Sequence, residues 1–162
     1  AIKPAALKTR TKVVGILATR GTLSSQLFHK TTDLYASGIK VIEQVGEGIV
    51  PLIETGQLDS KKMLALLKNY IDPMIKADID YLVLGCTHYP YLIPILEKML
   101  PKKVTIIDSG LAVAKQTQAI LKANDLLNSN MTKPLIKLYS NRDIVVLNSI
   151  LNNRFDTSFL EF

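Results

Sequence analysis

The sequence predicts an α/β fold, a mostly parallel sheet flanked by helices, and three observations carry that expectation. Apolar runs of strand length alternate with stretches of helical periodicity along most of the 162 residues, the rhythm of successive βα units. The composition, 48% hydrophobic and 21% charged, is that of a globular chain able to bury a core and to form one domain or one and a part. Neither an internal repeat nor a low-complexity tract breaks the pattern.

In chain order, residues 13–17 read as the first strand, with a helix from about Ser24. Residues 40–45 form the second strand, and a helix follows from about Ser60. In that helix Met63, Leu64, Leu67, Tyr70, Ile71, Met74 and Ile75 recur at three- and four-residue steps, while Lys61, Lys62 and Lys68 occupy the other face. Pro73 lies inside the pattern and is expected to kink the helix or divide it. Residues 81–84 read as a strand, with a helix from about Tyr91. Residues 104–107 read as another strand, with a helix from Leu111 to about Leu127. A polar stretch over 128–133 follows, and Asn128-Ser129-Asn130 is its clearest loop. Residues 135–139 then read as a strand and a helix starts near Asp143, whereas 152–162 show no firm period.

Several function classes are excluded at this level. The apolar stretches, such as 13–18 and 81–84, fall far short of the roughly 20 residues a membrane span needs, so no membrane partner is expected. No charged segment leads into an apolar run with a cleavage site at the start, and a cytoplasmic location is the expectation. The single cysteine rules out an internal disulfide framework, and with only His29 and His88 beside it there is no recognisable metal set. The formal charge of +6 is partly concentrated where Lys3, Lys8, Arg10, Lys12, Arg20 and Lys30 precede the first acid, Asp33. No nucleic-acid motif accompanies these charges, and they read as solvated surface rather than as a nucleic-acid interface.

The most informative segment is Leu84-Gly85-Cys86-Thr87-His88-Tyr89-Pro90, which leaves a buried-type strand and enters a helix. Ligands of open α/β sheets bind beyond the carboxyl ends of strands, where a reactive group is expected. A lone cysteine is usually a small buried hydrophobe. Here Gly85 lets backbone approach a ligand, Thr87 offers a hydroxyl, and a helix start with His88 nearby favours a thiolate. His88 is equally readable as a structural histidine. A second segment, Gly15-Ile16-Leu17-Ala18-Thr19-Arg20-Gly21-Thr22, again runs from strand to loop to helix. Thr19 and Thr22 could hold a carboxylate or ammonium group there, or Thr22 or Ser24 could simply cap the next helix. Its glycines match neither a P-loop nor a dinucleotide fingerprint. Glu54, directly after the apolar Val50-Pro51-Leu52-Ile53, reads as a loop acid unless something recruits it. Asp108-Ser109-Gly110 follows the strand at 104–107 and is readable either as a polar ligand site or as a turn and cap.

In this order, the cysteine heptad with Thr19-Arg20-Gly21-Thr22, Pro51-Leu52-Ile53-Glu54 and Ile107-Asp108-Ser109-Gly110 resembles bacterial glutamate racemase, over at least residues 13–110. The resemblance implies two pseudo-symmetric α/β domains holding glutamate between them, no cofactor such as pyridoxal phosphate, no metal, and a role in supplying D-glutamate for peptidoglycan. Carried over by position, Cys86 matches the second of the family's two acid/base cysteines and His88 the histidine that assists it. Thr87 matches a substrate-binding threonine, Thr19 and Thr22 fall on the threonine-rich loop, and Glu54 matches an acid near the substrate ammonium or the histidine. The chain departs from the pattern before Glu54, with Val45-Gly46-Glu47-Gly48 where many members have Ala-Cys-Pro. It also lacks the opening Asp-Ser-Gly loop and the Cys-Asn-Thr loop that bears the first cysteine.

These departures imply that residues 1–107 form the domain carrying the second cysteine and that residues 108–162 belong to the other domain. The missing amino-terminal half is then a required partner beside glutamate, a homodimer is allowed, and the isolated chain is expected to be inactive, with exposed apolar surface over 108–162. The alternatives are a non-catalytic amino-acid-binding or regulatory module, a racemase for aspartate or hydantoin, and, more weakly, a basic domain acting on nucleic acid.

Overall fold

The computed structural model describes residues 2–128 and 132–162; two residues of the expected loop Asn128-Ser129-Asn130 lie outside that range. Four parallel strands, β1 (Val13–Ala18), β2 (Lys40–Val45), β3 (Tyr81–Gly85) and β4 (Thr105–Ile107), form one sheet in the order β2-β1-β3-β4. In register, Ala18 lies opposite both Val45 and Gly85, so three strands end level and their following loops share one edge. The chain leaves β1 to build β2 on one side and then crosses back to build β3 on the other. Between β1 and β3 lies a topological switch point, where open α/β sheets place ligands.

Alternation along the strands decides which helices cover which face. Val14, Ile16 and Ala18 of β1, with Val83 of β3, pack with α1 (Ile2–Lys8) and with Leu23 and Phe28 of α2 (Arg20–Leu23) and α3 (Gln26–Tyr35). Leu17, Leu82 and Leu84 point the other way. They meet α4 (Ile49–Glu54), α5 (Lys61–Lys76) and α6 (Ile93–Met99), the last entered through a 3₁₀ turn at Tyr89–Leu92. In α5 the expected stripe is realised through Met63, Leu67, Ile71 and Met74, all buried. Ser60 caps this helix by accepting from the Met63 amide, and Pro73 sits within it without dividing it.

Besides the short helices α2 and α4, two elements near the ends of the chain were not expected. Helix α1 precedes β1 and buries Ile2, Ala5 and Ala6. The segment that follows is pinned by Asp80 at the start of β3, which accepts from the Thr9 hydroxyl at 2.6 Å and from the amides of Arg10 at 2.6 Å and Thr11 at 3.2 Å. Burial alone would push this carboxyl up, but the three donors outweigh it and hold Asp80 below the ordinary carboxylate range. The second surprise is β6 (Asp156–Phe159), which pairs in parallel with β5 (Lys137–Ser140) through α8 (Ile144–Ile150). Helix α7 (Gly110–Ala123) buries none of its residues, and Leu111 and Val113 are 69% and 60% exposed. Apolar surface is thus uncovered beyond residue 108, as expected. Among the described residues no helix is long and apolar enough to cross a membrane.

Candidate active site

At the end of β1 the chain turns at Thr19, whose side chain caps α2 by accepting from the Thr22 amide at 3.4 Å. The cap of α3 is Ser25, which accepts from the Phe28 amide. Neither Thr22 nor Ser24 serves there, contrary to one reading of the sequence. Thr22 instead donates its hydroxyl to the Gly85 carbonyl at 2.9 Å, with the Thr19 hydroxyl 3.0 Å away. A side-chain bond therefore ties α2, which follows β1, to the last residue of β3. The approach requires glycine, since a Cβ at position 85 would lie 2.7 Å from the Ala18 Cβ.

Beyond Gly85 the chain turns through Cys86, Thr87 and His88, closed by the Tyr89 amide donating to the Cys86 carbonyl at 3.2 Å. The Cys86 thiol is half-buried, and its Sγ lies 4.0 Å from His88 Nδ1. His88 Nε2 lies 3.1 Å from Glu54 Oε1. Glu54 is the last residue of α4 and a partner of His88; it is exposed, but it lies on a helix and not in a loop. The local cause is Gly48, whose left-handed backbone at φ 78° starts a helix in a stretch that reads as a plain apolar run. With Nε2–H donating to the carboxylate, Nδ1 presents its lone pair toward the thiol, the arrangement in which an imidazole accepts a thiol proton.

A cavity of about 570 Å³ at the switch point is lined by Thr19, Thr22, Cys86, Thr87 and Ser109, with apolar walls that include Phe28. Its polar groups suit a small zwitterion, with the thiol beside it. A second cavity of about 630 Å³ is lined by Glu54, His88, Tyr91, Arg142 and Asp143. The six candidate residues thus divide, four on the first cavity and two on the second, and the contact between Cys86 and His88 joins them. Ser109, left open between ligand site and turn, reaches the first cavity. Its neighbour Asp108 is occupied by the Gly110 amide at 2.6 Å. Tyr89 carried no role in the sequence reading; its hydroxyl donates to the Gly46 carbonyl at 3.0 Å, and burial, then Cys86 and Tyr70, push the phenol well above its ordinary range. Among the described residues no three His, Cys, Asp or Glu side chains are grouped to hold a metal ion.

The Asp/Glu/Hydantoin racemase family model matches residues 1–117. A glutamate racemase of Pseudomonas syringae pv. tomato is 48% identical over 144 residues, 89% of this chain and 52% of that protein. The structure of Escherichia coli glutamate racemase in complex with L-glutamate and the activator UDP-MurNAc-Ala is similar at a TM-score of 0.77 and 28% identity, over 98% of this chain and 61% of that one. Francisella tularensis glutamate racemase in complex with D-glutamate is similar at a TM-score of 0.77 and 25% identity, over 99% of this chain and 61% of that one. The chain spans about half the length of the Pseudomonas relatives it matches. With the thiol at the switch point and a family match over most of its length, the chain belongs to the Asp/Glu/Hydantoin racemase family.

Proposed function

We propose that this chain supplies one catalytic face of a cofactor-independent glutamate racemase. The observation that carries the reading is the line of Cys86, His88 and Glu54, which ends in a thiol beside a hydroxyl-lined cavity at the switch point. Relatives bound to L-glutamate and to D-glutamate support the substrate.

Inversion at an α-carbon needs one group to remove a proton and another to deliver one to the opposite face. In one direction the Cys86 thiolate takes the α-proton: the Cα–H bond breaks, an S–H bond forms, and the electron pair spreads onto the substrate carboxylate. A second thiol then gives its proton to the other face. In the reverse direction the Cys86 thiol is the donor. His88 holds and returns the Cys86 proton at Nδ1, and Glu54 keeps the imidazole turned to the task. The hydroxyls of Thr19, Thr22 and Thr87 orient the substrate. The 4.0 Å between Sγ and Nδ1 is a long contact of the kind acid/base pairs show without substrate.

The second thiol belongs to a further part of the protein, as coverage of about half the relatives' length supports. On this reading residues 1–107 are one domain and 108–162 the closing portion of the other. The uncovered α7 is the surface onto which that domain's remaining elements fold. The protein works in the cytoplasm and supplies D-glutamate for peptidoglycan.

The test is Cys86→Ser in the intact protein. Serine is nearly isosteric but a far poorer base, and racemisation followed by polarimetry should fall by a factor on the order of 10² to 10⁴ in at least one direction, with far-ultraviolet circular dichroism unchanged. Unchanged rates in both directions would end the assignment.

A further inference from the structure

The distance between Glu54 and His88 is set by how α4 is seated, and the seating is visible. Helix α4 begins just after the loop 46–48, whose carbonyls are held from two directions. The Tyr89 hydroxyl donates to the Gly46 carbonyl at 3.0 Å, and the Tyr70 hydroxyl of α5 donates to the Glu47 carbonyl at 2.9 Å. The Gly46 carbonyl also takes the Ile49 amide at 3.4 Å, the first backbone bond into α4. Tyr89 is fully buried and is the residue after His88. One short segment therefore carries both the histidine and the group that fastens the helix bearing its carboxylate partner.

The fastening depends on the departure noted before Glu54. A Cβ at position 46 would lie 2.2 Å from the Tyr89 hydroxyl oxygen and 2.9 Å from its Cζ. A side chain at 46 would have to displace the Tyr89 hydroxyl end and the tip of Ile49.

We propose that Tyr89 is a positioning residue of the racemase site, which, assisted by Tyr70, clasps the loop 46–48 so that Glu54 stays within hydrogen-bonding distance of His88. The proposal rests on the assignment of Cys86, His88 and Glu54 made above. Tyr89 touches no substrate; it acts through Glu54, and its removal costs turnover rather than substrate affinity.

The experiment is a double-mutant cycle in the intact protein with Tyr89→Phe and Glu54→Gln, reading kcat and KM in both directions and the pH profile of kcat. Tyr89→Phe should lower kcat about tenfold with KM changed less than about twofold. In the Glu54→Gln background the same change should cost less than about twofold, because the group it positions is already gone. Equal losses in both backgrounds, or an unchanged kcat in Tyr89→Phe, would overturn the clasp. Should Tyr89→Phe fail to fold, Tyr70→Phe is read in the same cycle; a loss confined to the Glu54 background supports the clasp and equal losses overturn it. Failure of the underlying assignment is recognised separately, by full activity in Cys86→Ser.

Discussion

Replacing Asp80 by alanine tests what holds the sheet's other edge in place. Its carboxylate accepts three bonds, from the Thr9 hydroxyl and the amides of Arg10 and Thr11, while its own backbone carbonyl takes the Thr105 amide of β4 at 2.9 Å. A bond to a charged acceptor contributes about 1.5 to 3 kcal/mol net. Three would total more than is realised, because the freed donors recover water as the segment loosens. A loss of about 3 kcal/mol for Asp80→Ala is the expectation, read from urea midpoints at pH 7. The sign of the pH dependence follows from the direction of the shift. The folded carboxyl lies below the reference value of 3.8, so its contribution is present above the unfolded value and is lost as pH falls through the folded one. The difference between wild type and Asp80→Ala should be constant from pH 7 down to about pH 5 and shrink below about pH 4. A loss under about 1 kcal/mol at pH 7, or a difference that widens on acidification, would refute the account.

Three further substitutions probe a strand end and two helices. Gly85→Ala sets a methyl 2.7 Å from the Ala18 Cβ and should cost about 1 to 3 kcal/mol by overpacking, whereas Gly21→Ala, with nothing within 4 Å of the new carbon, should be neutral or stabilise by about 0.5 kcal/mol; both are read by thermal unfolding. Ser60→Ala removes the bond to the Met63 amide and should lower stability by about 1 kcal/mol without changing ligand binding at the thiol, as calorimetry with glutamate would check.

The strands of the main sheet were legible because each is an apolar run between helical patterns, and residues 40–45 coincide with β2. Helix α1 escaped notice because it is seven residues long, carries Pro4 and no acidic residue in its first turn, and earns its place by burying Ile2, Ala5 and Ala6. Strand β6 escaped because Asp-Thr-Ser-Phe has no apolar excess, and only its pairing with β5 defines it. In the site, Cys86 and Thr87 were readable from the strand that delivers them. The partnership of Glu54 with His88 spans 34 residues of sequence and depends on a helix that Gly48 starts, so no local pattern announces it, and only the family resemblance placed an acid near the histidine or the substrate ammonium. The bond from Thr22 to the Gly85 carbonyl joins residues 63 apart and is hidden for the same reason.

The line from thiol to carboxylate has two ends of different character. Cys86 faces the cavity proposed for substrate, while the side chains of His88 and Glu54 are 34% and 61% exposed and border the other cavity. On the function proposed above, a proton taken from substrate has an outlet to bulk water that does not cross the substrate. In heavy water the thiol would be relabelled from behind while the amino acid is still bound. In the direction in which Cys86 is the donor, the isotope it delivers would then record the solvent and not the hydrogen it last removed.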